Sequence, residues 1–79
     1  MKNGVIFIGE LKTIQTKIQS LPKEKKSEKK KLISFCKSLK HDIKLNKPSY
    51  ANVPENREYS IILFNLQYEY NEWIKKEKR

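Results

Sequence analysis

Residues that carry catalytic or cofactor chemistry are scarce in this chain. It has one cysteine, Cys36, one histidine, His41, and two glycines, Gly4 and Gly9, among its 79 residues. Side chains five residues apart on a helix point about 140° apart, which disfavours a Cys–His nucleophile or a shared metal site. Two glycines are too few for a glycine-rich phosphate loop. We therefore expect a protein that is not an enzyme and that has no metal ion and no cofactor.

Carboxylates are also in short supply, with nine acidic residues in total. Pairs at helical spacing occur at Glu55 with Glu58 and at Glu69 with Glu72. No histidine or additional aspartate lies near either pair, so neither completes a metal site or an acid–base pair. The first pair has a simpler explanation, because glutamates in the opening turn of a helix complement its dipole.

Long apolar runs are absent as well. Residues 5–8 form an apolar run of four residues, whereas about 20 are needed to span a bilayer. The chain also shows no signal peptide with a charged start, an apolar centre and a small-residue cleavage site. A single cysteine allows no intramolecular disulfide. We expect a cytoplasmic protein with no membrane span.

Apolar residues at helical spacing are present, and they divide the chain into three segments. We predict one helical domain over residues 1–79, with helices at about residues 4–21, 22–46 and 54–77. The fold class is all-α, either a three-helix bundle or a helical hairpin followed by a long C-terminal helix. Dimerisation stays open, because so small a domain can gain buried area from a second copy.

The first two helices each have one apolar stripe. Their stripes are Phe7, Leu11, Ile14, Ile18 and Leu21 in the first helix, and Leu32, Phe35, Cys36, Leu39 and Ile43 in the second. Pro22 separates the helices and suits the first turn of the second. Asn46, which tolerates the left-handed conformation, and Pro48 end it. Residues 23–31 have no apolar anchor, so they either form a basic arm or fray.

The third segment is more ambiguous. Its helical stripe comprises Tyr59, Ile62, Leu63, Leu66, Tyr70, Trp73 and Ile74. Residues 60–70 also alternate as a strand would, but an isolated strand without a hairpin turn has no evident partner, which favours the helix. Pro54 fits the first position of this helix.

A second apolar line on the same helix needs covering. Ile61, Phe64 and Tyr68 are spaced three and four residues apart outside the main stripe. They belong either to the core of a nearly surrounded helix or to a protein interface. The aromatic residues of this segment are expected in the core, which leaves Tyr50, in the loop, as the exposed aromatic.

Positive charge is plentiful and unevenly distributed. Residues 1–47 hold 13 lysines and four acidic residues, whereas residues 48–79 hold five cations and five acids. Six lysines of the second helix collect on one side of it: Lys23, Lys26, Lys30, Lys37, Lys40 and Lys44. This asymmetry favours a polyanionic partner. The alternative is a solvated lysine-rich surface without a partner.

Two functions of different classes follow. The first is a small binding module whose lysines engage nucleic acid or a nucleic-acid–protein complex without sequence specificity, since lysine lacks the bidentate geometry that reads bases. The second is a protein inhibitor or adaptor, of the kind found among viral and mobile-element accessory proteins, that docks on an acidic or apolar surface. Binding to a membrane surface is disfavoured, because the apolar stripe of the second helix is needed in the core.

Overall fold

The computed structural model describes residues 4–77, which form three α-helices and no strand. The helices are α1 (Gly4–Gln19), α2 (Lys26–Lys44) and α3 (Ser60–Glu77), and a single 3₁₀ turn (Lys23–Lys25) precedes α2. The all-α prediction is confirmed, and residues 60–70 are helical. Residues 1–3, 78 and 79 of the predicted domain lie outside the described part.

Helices α1 and α2 form an antiparallel hairpin. The chain turns at Pro22, whose extended backbone (φ −64°, ψ 157°) interrupts the helical conformation. Gly4 at the start of α1 lies against Ile43 near the end of α2, so closely that a Cβ atom added to Gly4 would be 3.2 Å from Ile43 Cγ2. All five apolar residues predicted for the second helix are buried. Residues 23–31, which have no apolar anchor, are helical: residues 23–25 form the 3₁₀ turn and residues 26–31 the beginning of α2.

The end of α2 follows the prediction for Asn46. This residue adopts φ 55°, and its N–H donates to the Ile43 carbonyl at 3.1 Å. The next N–H, from Lys47, donates to the Asp42 carbonyl at 3.1 Å. These two bonds define a Schellman motif, which satisfies carbonyl groups at the end of the helix and turns the chain away from its axis.

The start of α3 differs from the prediction at Pro54. The helix begins at Ser60, six residues after the proline, and Asn56 organises the turn that leads into it. The Asn56 side-chain oxygen accepts hydrogen bonds from the N–H groups of Glu58 (2.9 Å) and Tyr59 (3.0 Å), and asparagine is a preferred capping residue. Residues 54–59 therefore belong to the connection and to a turn.

Helix α3 packs against α1 through aromatic rings. The Phe7 ring lies edge-on to Tyr70, with ring centroids 5.5 Å apart, and 5.7 Å from Trp73. Leu63, Leu66, Tyr70 and Ile74 are buried as predicted from the third stripe. Ile62 is exposed, so its assignment to the core stripe was wrong.

The connection between α2 and α3 contains an extended segment, residues 48–54, which we call the strap. Asn71 of α3 holds its backbone at two points: the Ser49 N–H donates to Asn71 Oδ1, and Asn71 Nδ2 donates to the Ser49 carbonyl, both at 2.9 Å. Gln67 Nε2 donates to the Ala51 carbonyl at 2.9 Å. Ser49 is buried whereas Tyr50 is exposed, as in an extended chain whose alternate residues face opposite sides. The strap thus lies along α3 as part of the fold.

Candidate functional site

The six predicted lysines lie on the 3₁₀ turn and on α2, and we call them the lysine face: Lys23, Lys26, Lys30, Lys37, Lys40 and Lys44. All are exposed except Lys40, which is half-buried. At about 100° per residue, the five on α2 fall within an arc of about 80°, and its centre is about 130° from that of the buried stripe. The lysines therefore point away from the core, and burial of the apolar stripe orients them.

The carboxylates of α2 lie elsewhere on the helix. Glu28 and Asp42 fall about 160–200° from the middle of the lysine face. The ion pairs within residues 4–77 join Lys25 Nζ to Glu58 Oε1 (3.6 Å) and Lys75 Nζ to Glu72 Oε2 (3.2 Å). Neither pair includes a lysine of the lysine face. The positive charges of this face therefore sum to a potential that attracts anions from solution.

The second apolar line of α3 is exposed. Ile61 is 73% exposed, Phe64 57% and Tyr68 58%. Of the two alternatives left open for these residues, their exposure excludes burial in the core, because the core and the strap occupy the other sides of α3. The expectation that Phe64 and Tyr68 would be buried as aromatics fails for the same reason. An interface role for these three residues stays a prediction.

Two shallow grooves flank the strap. The α2 groove, between the strap and α2, is lined by Ser27, Lys30, Lys31, Ser34, Phe35, Ser38, Ala51, Asn52 and Pro54. The α3 groove, on the other side, is lined by Ser49, Tyr50, Ala51, Asn52, Val53, Ser60, Ile61, Phe64, Gln67 and Asn71. Neither lining contains a carboxylate. The two grooves share Ala51 and Asn52, so only the strap separates them.

The strap and its amide contacts were missed by the sequence analysis. Gln67 and Asn71 lie four residues apart on α3, beside the buried stripe, and Gln67 is itself buried. Two amide side chains at this spacing are only weak evidence for a bound segment. They can nevertheless pair with an extended backbone, because such a backbone presents N–H and C=O groups at regular intervals. Their role becomes evident only when the strap lies next to α3.

Cys36 and His41 lie in different surroundings. Cys36 is fully buried, and burial raises the pKa of its thiol to about 11, whereas His41 is exposed. A buried thiol with a raised pKa is a poor nucleophile. Within the described residues, no three His, Cys, Asp or Glu side chains are grouped so that they could hold a metal ion. None of the helices described is long and apolar enough to cross a lipid bilayer.

Comparison with protein-family models, curated proteins and solved structures finds no match to this chain.

Proposed function

We propose that the protein is a small non-enzymatic binding module whose lysine face engages a polyanion, most simply nucleic acid or a nucleic-acid–protein complex. The observation that carries this proposal is the arrangement of six lysines on the side of the hairpin away from the core, with no ion-pair partner among residues 4–77. Surfaces of this kind attract phosphate backbones by releasing their counterions.

The length of the lysine face suits a polyanion better than a small anion. From Lys26 to Lys44 the helix rises by about 27 Å, a distance over which one strand of a duplex presents about eight phosphates. The five lysines of the lysine face along this length can neutralise several phosphates together. Since lysine provides charge without bidentate recognition, the binding is expected to be independent of base sequence.

A salt titration tests the proposal. Fluorescence anisotropy with a short labelled duplex and a labelled single strand should show an affinity that falls by about 10³ between about 50 and 200 mM salt. Replacing Lys37, Lys40 and Lys44 together by glutamine should reduce the slope of log K against log salt by about 2 to 3.

A control with the same change in net charge separates the lysine face from charge in general. Lys12, Lys17 and Lys76 are exposed and lie outside the lysine face. Their replacement by glutamine should weaken binding much less than the triple substitution on α2. Binding that is insensitive to salt, or equal losses in the two triple variants, would contradict the proposal.

The exposed line Ile61, Phe64 and Tyr68 favours a second candidate function, an inhibitor or adaptor that docks on another protein. Three large apolar side chains on one face of a small domain are typical of interaction sites. A single stoichiometric protein partner from the native host, retained after nuclease treatment and lost when all three residues are replaced by serine, would support it. Retention of the partner by that variant would refute it.

A further inference from the structure

We infer that the polyanion is a single-stranded nucleic acid, DNA or RNA, which lies across the strap with phosphates in the α2 groove and bases against Tyr50 and Phe64. This inference rests on the proposed function and assigns the class of nucleic acid. It adds to the lysine face a second surface, formed by the strap and the two grooves beside it.

The α2 groove has the groups that hold phosphate. Lys30 and Lys31 line it with two ammonium groups, and Asn52 lines it with a side-chain amide. Three serines of α2 provide hydroxyl donors along the same groove: Ser27, Ser34 and Ser38. Lysine, serine and asparagine side chains are frequent donors to phosphate oxygens. The lining has no carboxylate to repel a phosphate.

The α3 groove has the groups that stack on bases. Tyr50, which is 80% exposed, and Phe64 line it from the strap and from α3 respectively. An exposed aromatic ring offers a flat surface to an unpaired base, and proteins that bind single strands combine such rings with a basic groove. Charge distinguishes this groove from the shallow depression at Ile62, which two glutamates, Glu10 and Glu69, also line.

The strap holds Tyr50 in place before any ligand arrives. The hydrogen bonds between Asn71 and Ser49, and the one from Gln67 to Ala51, fix the backbone on both sides of Tyr50. A ring on an anchored backbone loses less conformational freedom on binding than a ring on a free loop. The exposed tyrosine is therefore preorganised for contact.

The proximity of the two grooves selects a single strand. Both grooves contact Ala51 and Asn52, so a ligand that fills both must present phosphate and a base face within the width of the strap. A single strand does so, because its bases are free to turn toward aromatic side chains. A duplex presents only base edges in its grooves, so it can engage the lysines but not the rings.

The test compares ligands of equal charge. Labelled single strands of about 12 nucleotides are used as oligo-dT, as oligo-U and as an abasic strand that has the phosphates and sugars but no bases. Anisotropy at about 100 mM salt should show oligo-dT or oligo-U binding about tenfold or more tightly than the abasic strand, the increment expected of one or two stacked bases. The dT and U arms show whether DNA or RNA is preferred.

Variants assign the preference to the two rings. Tyr50→Leu and Phe64→Leu should each lower the affinity for the base-containing strands about tenfold. Their affinities for the abasic strand and for a duplex should stay unchanged, and this unchanged binding also shows that the variants are folded. Tyr50→Phe keeps a ring and should retain the preference. Ile62→Ala, an exposed apolar residue outside both grooves, is the matched control and should have no effect.

Lys31 tests the phosphate side, because it lines the α2 groove but does not belong to the lysine face. Lys31→Gln should weaken binding of all three strands and reduce the salt slope for them by about 0.7, more than Lys12→Gln does.

Equal affinities for the base-containing and abasic strands would overturn the inference while salt-dependent binding still supports the proposed function. So would a preference that survives both leucine substitutions, and the aromatic residues would then be assigned to a protein partner. Absence of salt-dependent binding to every strand and to duplex would refute the proposed function itself.

Discussion

The amide clamp between Asn71 and the strap makes a quantitative prediction about stability. Asn71→Ala removes both hydrogen bonds to Ser49, whose N–H and C=O then have no partner although the residue is only 1% exposed. Each unsatisfied buried group costs about 1–3 kcal/mol, and the higher helix propensity of alanine returns up to about 0.7 kcal/mol. For the two groups together, we expect a net loss of about 1–6 kcal/mol.

That loss is large for a chain of this size, whose total stability is expected at about 4–12 kcal/mol. Thermal unfolding followed by circular dichroism should show a fall in Tm of at least about 4 °C. Urea titration of the same variant gives the free energy of unfolding directly.

Asn65→Ala is the matched control, because Asn65 is an exposed asparagine on the same helix. It has the same change in helix propensity and no bond to the strap, so its stability should stay within about 0.7 kcal/mol of the parent. If Asn65→Ala and Asn71→Ala destabilised the protein equally, or if neither did, the strap would not be held as described.

Three other predictions concern Cys36, Gly9 and Tyr70. The buried Cys36 thiol, with its pKa raised to about 11, should react slowly with a thiol reagent at neutral pH in the folded protein and rapidly in urea. Fast labelling of the folded protein would contradict the burial of Cys36. The pKa of this thiol is higher in the folded than in the unfolded protein, so its contribution to stability is present below the unfolded pKa and is lost as the pH rises through about 11. Gly9→Ala places its new Cβ where no atom lies within 4 Å, so urea titration should show a free energy of unfolding that is higher by about 0.5–1 kcal/mol. Gly4→Ala should raise the free energy of unfolding less, because its Cβ crowds Ile43. Tyr70→Phe removes a hydroxyl 2.7 Å from the Lys47 carbonyl oxygen and should lower the free energy of unfolding by about 1–2 kcal/mol; an unchanged value would show that this bond contributes nothing net.

Much of the fold could be predicted from the spacing of apolar residues. The stripe of α2 is buried in full, and the stripe of α1 is buried or half-buried. These segments are predictable because a helix with one apolar face has only one way to bury it. Asn46 was predictable for a local reason, since few residues tolerate a positive φ at a helix end.

Prediction failed where two signals competed at one position. Pro54 suits the first turn of a helix, but the chain forms a turn at residues 57–59, where the Asn56 side-chain oxygen accepts two backbone N–H bonds, and α3 begins only at Ser60. Phe64 and Tyr68 have the apolar character of core residues. Whether they are exposed depends on which other segments cover α3. The spacing of residues along α3 carries no information about those segments.

The sequence alone determines that this protein is helical, that its second helix has separate apolar and cationic sides, and that it has few groups able to do chemistry. Those properties follow from short-range spacing along one element. Only the tertiary structure decides that the strap lies along α3, that Gln67 and Asn71 hold its backbone, and that Tyr50 and Phe64 line one groove. The physical reason is that the backbone polar groups of the strap need partners from a distant segment, and a linear pattern does not indicate which segment supplies them.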